Sequence, residues 1–323
     1  MRFNMMRSTT PSPSELLWRA AAQPFKQMVI ESSREKIRRR GLEIGSDVEA
    51  EVEYFNNDSV RSELQQIQKN IENDSIIYPE YYRCAFHGYD LGNLDWLPAF
   101  EYKAVSESVF SDVYSKSKLS RFSNYRLRDN AQRAIKRYVE SRNIIPEVIV
   151  DMGCAVGLST IPLARSFPQA KIIGIDLSSY FISTAIYNLN HLSELSEFKN
   201  QVSYKHASAE CSNISTSSVD VVSYSLMEHE LPNAIAYSVI QEAYRILRPG
   251  GVIAFMDMDP ESIYIKRFNE NWFAKTAFAV TEPWFQEFCR FPLKEALLTI
   301  GFANIVNVKT SPKHRVIIAQ KLP

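Results

Sequence analysis

The chain has 323 residues, 45% hydrophobic and 23% charged, which is enough apolar material for one large core with a helical extension. Its 37 basic and 37 acidic side chains cancel, so the sequence carries no electrostatic footprint for nucleic acid or another polyanion. No apolar run reaches the roughly 18 residues of a membrane span, and the four cysteines, Cys84, Cys154, Cys211 and Cys289, have no spacing for zinc or a disulfide framework.

The first dozen residues are basic, rich in hydroxyls and free of acids. They read as a start without fixed structure or as the remnant of a transit peptide, so the expected location is the cytoplasm, or a plastid in the second case. From Glu15 to about Asn73 the pattern is helical: Leu16, Leu17, Ala20 and Ala21 lead to Phe25, Met28, Val29 and Ile30, and Ser33 to Arg40 makes a solvated face. Gly41 and Gly45 end that piece, and a second polar helix is expected over roughly Val48 to Glu72.

Tyr78 to Tyr102 is dense in aromatics and turn formers. Phe86, Trp96 and Phe100 read as core. Tyr81, Tyr82, His87 and Tyr89 carry polar ends that need partners once buried. A loop of this kind laid over a sheet would form a lid that excludes water, with Tyr81, Tyr82 and Tyr89 available to a substrate. Helix resumes from about Asn124 to Arg142. The chain divides near residue 125, into an N-terminal helical and lid region (1–125) and a sheet domain (126–323).

Val148-Ile149-Val150 is a β-branched run that passes into Asp151 and a small-residue turn, Gly153-Cys154-Ala155-Val156-Gly157. Leu158 to Phe167 has helical spacing, and Lys171 to Ile175 is a second strand ending in Asp176. Strand, glycine turn, helix, strand and acid make the front half of a nucleotide-binding βαβ unit. The turn lets a ligand approach the backbone, and an acid about 20 to 25 residues on can accept both hydroxyls of a ribose. The dinucleotide pattern G-x-G-x-x-G fails at Ala155 and Leu158, whereas D-x-G-x-G-x-G is met at Asp151, Gly153 and Gly157 with Ala155 in the middle place. Read by itself, the stretch is also compatible with an ordinary tight turn after a core strand.

Ser178 can cap a helix running to about His191. Val202 to His206 alternates as a strand, followed by Ser208-Ala209-Glu210. Val219 to Tyr224 is a fourth strand, ending in Ser225 and the run Met227-Glu228-His229-Glu230. A helix from Pro232 to about Leu247 stops at Arg248-Pro249-Gly250-Gly251, before a fifth strand over Val252 to Asp257. Residues 259–291 hold an aromatic insertion with Trp272, Phe273, Phe278, Trp284, Phe285 and Phe288. Leu293 to Ile300 is an amphipathic helix, and Phe302 to Val308 and His314 to Lys321 are the last two strands.

Four features, the Asp151 to Gly157 loop, Asp176, the Ser-x-Asp-Val-Val strand at residues 218–222 and Leu247-Arg248-Pro249-Gly250-Gly251, stand in the order and spacing of one family. Residues 147–258 resemble a class I S-adenosylmethionine (SAM) methyltransferase of the small-molecule, ubiquinone/menaquinone-biosynthesis-like type 11 group. The His229 to Pro232 run, the segments Tyr78 to Tyr82 and Phe86 to Asp90, and Ser311 to Arg315 further resemble a subgroup of photosynthetic eukaryotes and cyanobacteria. The resemblance implies an α/β, Rossmann-like seven-stranded, mostly parallel sheet with a C-terminal antiparallel hairpin, preceded by the helical and lid region. It implies SAM as cofactor, held by Asp151, Gly153, Cys154, Ala155, Gly157, Asp176, Leu177, Ser208, Ala209, Glu210 and Ser225, with no metal. Ser208-Ala209 stands where the family usually has Asp-Ala beside the adenine.

The expected activity is methyl transfer to a small molecule at sulfur, oxygen, nitrogen or carbon, a small thioether acid among the possibilities. A thioether needs only alignment with the donor, whereas an acceptor that loses a proton needs a base, and His229, His87 and Glu230 are the candidates. Arg315 could bind an acceptor carboxylate or simply be solvated. The other readings are a SAM or nucleoside binder without transfer activity and a dinucleotide oxidoreductase. No nucleic-acid partner is expected, and the oligomeric state is left open.

Overall fold

The computed structural model describes residues 26–323. The basic first dozen residues and the start of the expected first helix lie outside the described residues. Helix α1 (Lys26–Glu43) runs through Gly41 instead of stopping there. A Cβ at Gly41 would stand 2.3 Å from the Ser46 carbonyl oxygen, so this glycine permits a close backbone approach. The single polar helix expected after it is two, α2 (Val48–Asn56) and α3 (Asp58–Ile71). They part at Asn57, where ψ of 134° leaves the helical region and the side chain accepts from the Ser59 amide.

The aromatic segment is a loop only as far as Asp95. From there α4 (Trp96–Phe110) is helical, with the Asp95 carboxylate accepting from the Trp96 amide at 2.7 Å. Pro98 falls in its first turn, where a missing amide hydrogen costs nothing. Residues 78–95 therefore form a short strap between helices. Helix α5 (Phe122–Glu140) follows, so the division expected near 125 falls in its first turn.

The remaining elements are β1 (Val148–Met152), α6 (Thr160–Ser166), β2 (Lys171–Asp176), α7 (Ser179–His191), β3 (Val202–His206), β4 (Val219–Ser225), α8 (Asn233–Ile246) and β5 (Leu247–Met258). Then come three short helices of the insertion, α9 (Ile263–Glu270), α10 (Trp272–Ala279) and α11 (Phe285–Phe288), and α12 (Leu293–Ile300), β6 (Phe302–Lys309) and β7 (His314–Lys321). The strand order is β3-β2-β1-β4-β5-β7-β6. β1 to β5 pair in parallel, and β7 lies antiparallel between β5 and β6. This is the Rossmann-like sheet with an antiparallel C-terminal hairpin that the sequence implied.

Alternate side chains of each strand enter opposite layers, as a strand's two-residue period requires. Ile149, Ile172, Val221 and Val252 pack with α5 and α6, while Val150, Ile175, Val222 and Ile253 pack with α8 and α12. The N-terminal helices add a third cluster in which Phe55, Leu64, Trp96 and Phe100 meet Ala155, Val156, Phe181 and Tyr187. The small-residue loop after β1 is thus roofed by the helical layer. Strand order reverses direction between β1 and β4, and in such sheets the crevice beyond the strand ends at that point is where ligands bind. Among the described residues no helix is long and apolar enough to cross a membrane.

Candidate active site

β1 and β2 end side by side, with Asp151 opposite Gly174 and Met152 opposite Ile175, so Asp151 and Asp176 lie at the same end of the sheet. The loop between them is forced close to its neighbours. Gly153 has φ of +65°, and a Cβ there would lie 2.3 Å from the Met227 sulfur. The Ala155 amide donates to Asp176 Oδ2 at 2.9 Å, and the Ser178 amide donates to Oδ1 at 2.8 Å. Burial pushes the Asp176 carboxyl up to about 6 against those amide bonds.

Asp151 is fully buried, and its Oδ2 accepts from the hydroxyls of Ser159 and Thr160, both at 2.7 Å. Its Oδ1 has no partner among the described residues. Burial pushes this carboxyl up to about 6 as well. A buried acid with an unused oxygen, behind a loop too tight for a side chain, suits a ligand that brings its own positive charge. The residues present fit the cationic, ribose-bearing SAM.

The strap lies across this end of the sheet. The Tyr81 hydroxyl donates to Glu210 at 2.6 Å, and the Tyr82 hydroxyl donates to Asp176 Oδ1 at 3.4 Å. A narrow cavity of about 70 Å³ lies beneath, walled by Tyr81, Tyr82, Gly153, Ala155, Asp176 and Ala209 among others. A ligand of nucleoside size needs about 300 Å³ or more, so the cavity is too small for one with the tyrosine rings where they stand.

A second cavity, of about 440 Å³, lies between α1, α4 and the insertion. Its body is apolar, with Ile37, Val105, Val109, Phe110, Met258 and Phe278 in the wall. His87, Asn93, Tyr102, Phe181, Leu226 and Glu230 belong to the walls of both cavities. The two chambers therefore meet at the end of β4.

Polar groups gather at that junction. His229 sits in a single 3-10 turn after β4, and its Nδ1 lies 2.9 Å from Asp257 Oδ1 at the end of β5. The backbone amide of His229 donates to the same carboxylate at 3.3 Å. Burial alone would lower the imidazole, but Asp257, with Glu230 and Glu282 adding to it, raises it to about 9. His87 lies between two acids, with Nδ1 2.6 Å from Glu282 Oε1 and Nε2 3.0 Å from Glu230 Oε1. Against burial, the two glutamates raise it to about 10. Farther along the cavity, Arg34 holds Glu101 at 2.7 Å, and Tyr89 donates to the same carboxylate.

Of the expected cofactor residues, Gly153, Ala155, Asp176, Leu177 and Ala209 wall the narrow cavity, while Asp151, Cys154, Gly157, Ser208, Glu210 and Ser225 stand outside its wall. Glu210 is occupied by Tyr81, and Ser225 is buried with its hydroxyl unpartnered among the described residues. Tyr81 and Tyr82, expected at the substrate, border the narrow cavity instead, because the strap crosses over β2; Tyr89 does border the large one. His87, expected as a base, has both ring nitrogens committed and holds its proton. Arg315 is outside the walls of both cavities, its guanidinium 3.2 Å from Asp259. Register explains this, since Arg315 pairs with Asp257 across the antiparallel strands.

Asp257, Glu282, Asn93 and Tyr102 escaped the sequence reading. Asp257 carried a usable signal, an acid at the carboxyl end of a predicted central strand. Glu282 carried none, because a loop acid in an aromatic insertion looks like any solvated one. Among the described residues no group of acids, histidines and cysteines could hold a metal ion.

Residues 149–251 match the family described as "Methyltransferase domain". Over 111 residues the chain is 32% identical to a malonyl-[acyl-carrier protein] O-methyltransferase of Hahella chejuensis, a match covering 34% of this chain and 36% of that protein. Over 117 residues it is 28% identical to an uncharacterized methyltransferase of Synechocystis sp., covering 36% of this chain and 50% of that one. The chain thus spans half or less of the length of these curated relatives. Human N-acetylserotonin methyltransferase in complex with SAM has a similar fold, with a TM-score of 0.51 at 13% identity, over 86% of this chain and 71% of that one.

Proposed function

We propose, from the match of residues 149–251 to the methyltransferase-domain family, that the chain transfers the methyl group of SAM to an oxygen of a small, largely apolar acceptor. In this reading the acceptor lies in the 440 Å³ cavity and His229 takes its proton. Bound SAM supplies an activated methyl group on a sulfonium. Asp176 would hold its ribose, the Gly153 to Gly157 loop its backbone-facing side, and Asp151 its ammonium group. Asn93, Tyr102, Phe181 and Leu226, shared by both walls, would fix the angle of approach and exclude water.

The observation that carries the reading is the His229–Asp257 pair. Nδ1 is tied to Asp257, while the ring belongs to the cavity wall and Nε2 has no hydrogen-bond partner among the described residues. A base oriented by a carboxylate is needed by an acceptor that must lose a proton and is idle beside a thioether. The strap and helices α1 to α4 are in this proposal the cover of the acceptor cavity, which is why the aromatic loop precedes the sheet domain.

The test is release of S-adenosylhomocysteine with hydroxylated and thioether acceptors, in the parent and in His229→Gln. Loss of turnover with hydroxyl acceptors by roughly a hundredfold or more supports the reading. Unchanged turnover in the variant, or transfer to thioethers alone, overturns it.

A further inference from the structure

The junction of the two cavities holds one carboxylate that the proton-transfer scheme leaves idle. Glu230 borders both chambers, and its side chain keeps 22% of its surface accessible. Its Oε1 faces His87 Nε2 at 3.0 Å, and its Oε2 makes no hydrogen bond among the described residues. Behind it, the other His87 nitrogen is 2.6 Å from Glu282, whose side chain is only 8% accessible. The His87 backbone amide also donates to the Thr281 carbonyl at 3.0 Å. Three separate pieces of chain, the strap, the turn after β4 and the insertion, are thus joined through one imidazolium.

We infer that Glu282 and His87 are positioning residues that fix Glu230 at the junction, and that its second oxygen reads a second hydrogen-bond donor on the acceptor. The inference rests on the proposed transfer to oxygen and narrows it: the acceptor carries, beside the hydroxyl that reacts, a hydroxyl or amine that does not. His229 and Glu230 are adjacent in one turn, so the two donors of the acceptor are close together. Glu230 alone could swing into solvent. His87, held from behind by Glu282, opposes that, because turning away would cost the imidazolium one of its two carboxylate partners. A site with such a fixed acceptor rejects ligands that lack the matching donor far more strongly than it rejects a change in apolar bulk.

The groups facing His87 are Glu230 and Glu282, with His229 and Asp257 beyond them; His229 in turn feels both glutamates. Removing Glu282 deletes one of the two charges that hold the proton on His87, so His87 in Glu282→Gln loses its proton at lower pH. Selectivity for the second donor then fades as pH rises in the variant, while in the parent it stays level until His87 titrates.

The experiment uses the full chain with SAM and two probes, a vicinal naphthalenediol and the matching naphthol. Binding is read by calorimetry and transfer by S-adenosylhomocysteine release. The parent should bind the diol about tenfold or more tighter than the naphthol, and Glu230→Gln should bring the ratio close to one. Glu282→Gln should lower the ratio several-fold, and the loss should deepen with pH, which a merely structural role would not produce. A parent ratio within about twofold of one, a ratio untouched by both variants, or no binding of either probe overturns the inference. Selective binding without methyl transfer leaves the Glu230 reading standing and sinks the transfer reading; transfer without Glu230-dependent selectivity does the reverse.

Discussion

Asp151→Asn separates what the loop costs from what it does. Asp151 is fully buried, and only one of its two carboxylate oxygens has partners. Burial raises its pKa from 3.8 to about 6. An acid raised on folding leaves the native state holding the proton more tightly than the unfolded chain, so native stability falls as pH rises from about 4 to about 6. The rise corresponds to a penalty of order 1 to 3 kcal/mol that is fully developed above pH 6 and absent below pH 4. An asparagine can accept from Ser159 and Thr160 through its carbonyl and does not ionise. The variant should therefore match the parent near pH 4 and exceed it by about 1 to 3 kcal/mol at pH 8. Urea denaturation of both proteins across that range measures the difference, and subtraction cancels the titrating groups that do not interact with Asp151. In the same variant SAM affinity should drop about tenfold, because the ammonium group loses a buried anion. A stability difference independent of pH, or a variant less stable than the parent at pH 8, would refute the desolvation argument.

Asp176→Ala removes the acceptor of the Ala155 and Ser178 amides and of the proposed ribose contact. It should weaken binding of S-adenosylhomocysteine by a hundredfold or more, at about 1.5 to 3 kcal/mol for each bond to a charged group; calorimetry that shows unchanged affinity would place the nucleoside elsewhere. Gly153→Ala brings a methyl group to 2.3 Å from the Met227 sulfur at a φ of +65°. Its midpoint of thermal unfolding should fall and SAM binding weaken with it. The His229 imidazole, raised to about 9, must be neutral to act as base, so turnover should climb with pH up to that region. Asp257→Asn should shift the climb to lower pH, and a pH-rate profile checks both. Tyr82→Ala should speed association of S-adenosylhomocysteine in stopped-flow fluorescence, since that ring lies across Asp176 in the narrow cavity.

The four matched features already stated the sheet and its cofactor, because each is a local geometric demand. A strand that ends in a crowded turn needs glycine at Gly153, an acid closes the next strand at Asp176, and Pro249 and Gly250 follow the end of the helix at Ile246 within the first residues of β5. β-branched runs with a two-residue period marked the strands, and Ser178 capped α7 as read, its hydroxyl accepting from the Phe181 amide. Such signals are written within a few residues of where they act. That is why they survive translation from sequence into structure almost unchanged.

The acceptor side was decided by contacts between residues far apart in the chain. His87 meets Glu282 across 195 positions and Glu230 across 143, and Asp257 reaches His229 only because β4 and β5 are neighbours. No local pattern distinguishes a histidine that will be locked between two acids from one free to accept a proton. Only packing of the strap against the insertion does so, and it commits both His87 ring nitrogens to carboxylates. Arg315 likewise looked free until strand register set it beside Asp259. The sequence by itself determined which cofactor chemistry the sheet is shaped for. The tertiary structure alone decided which charges stand at the junction, because the field at a buried point is the sum over groups brought there by folding.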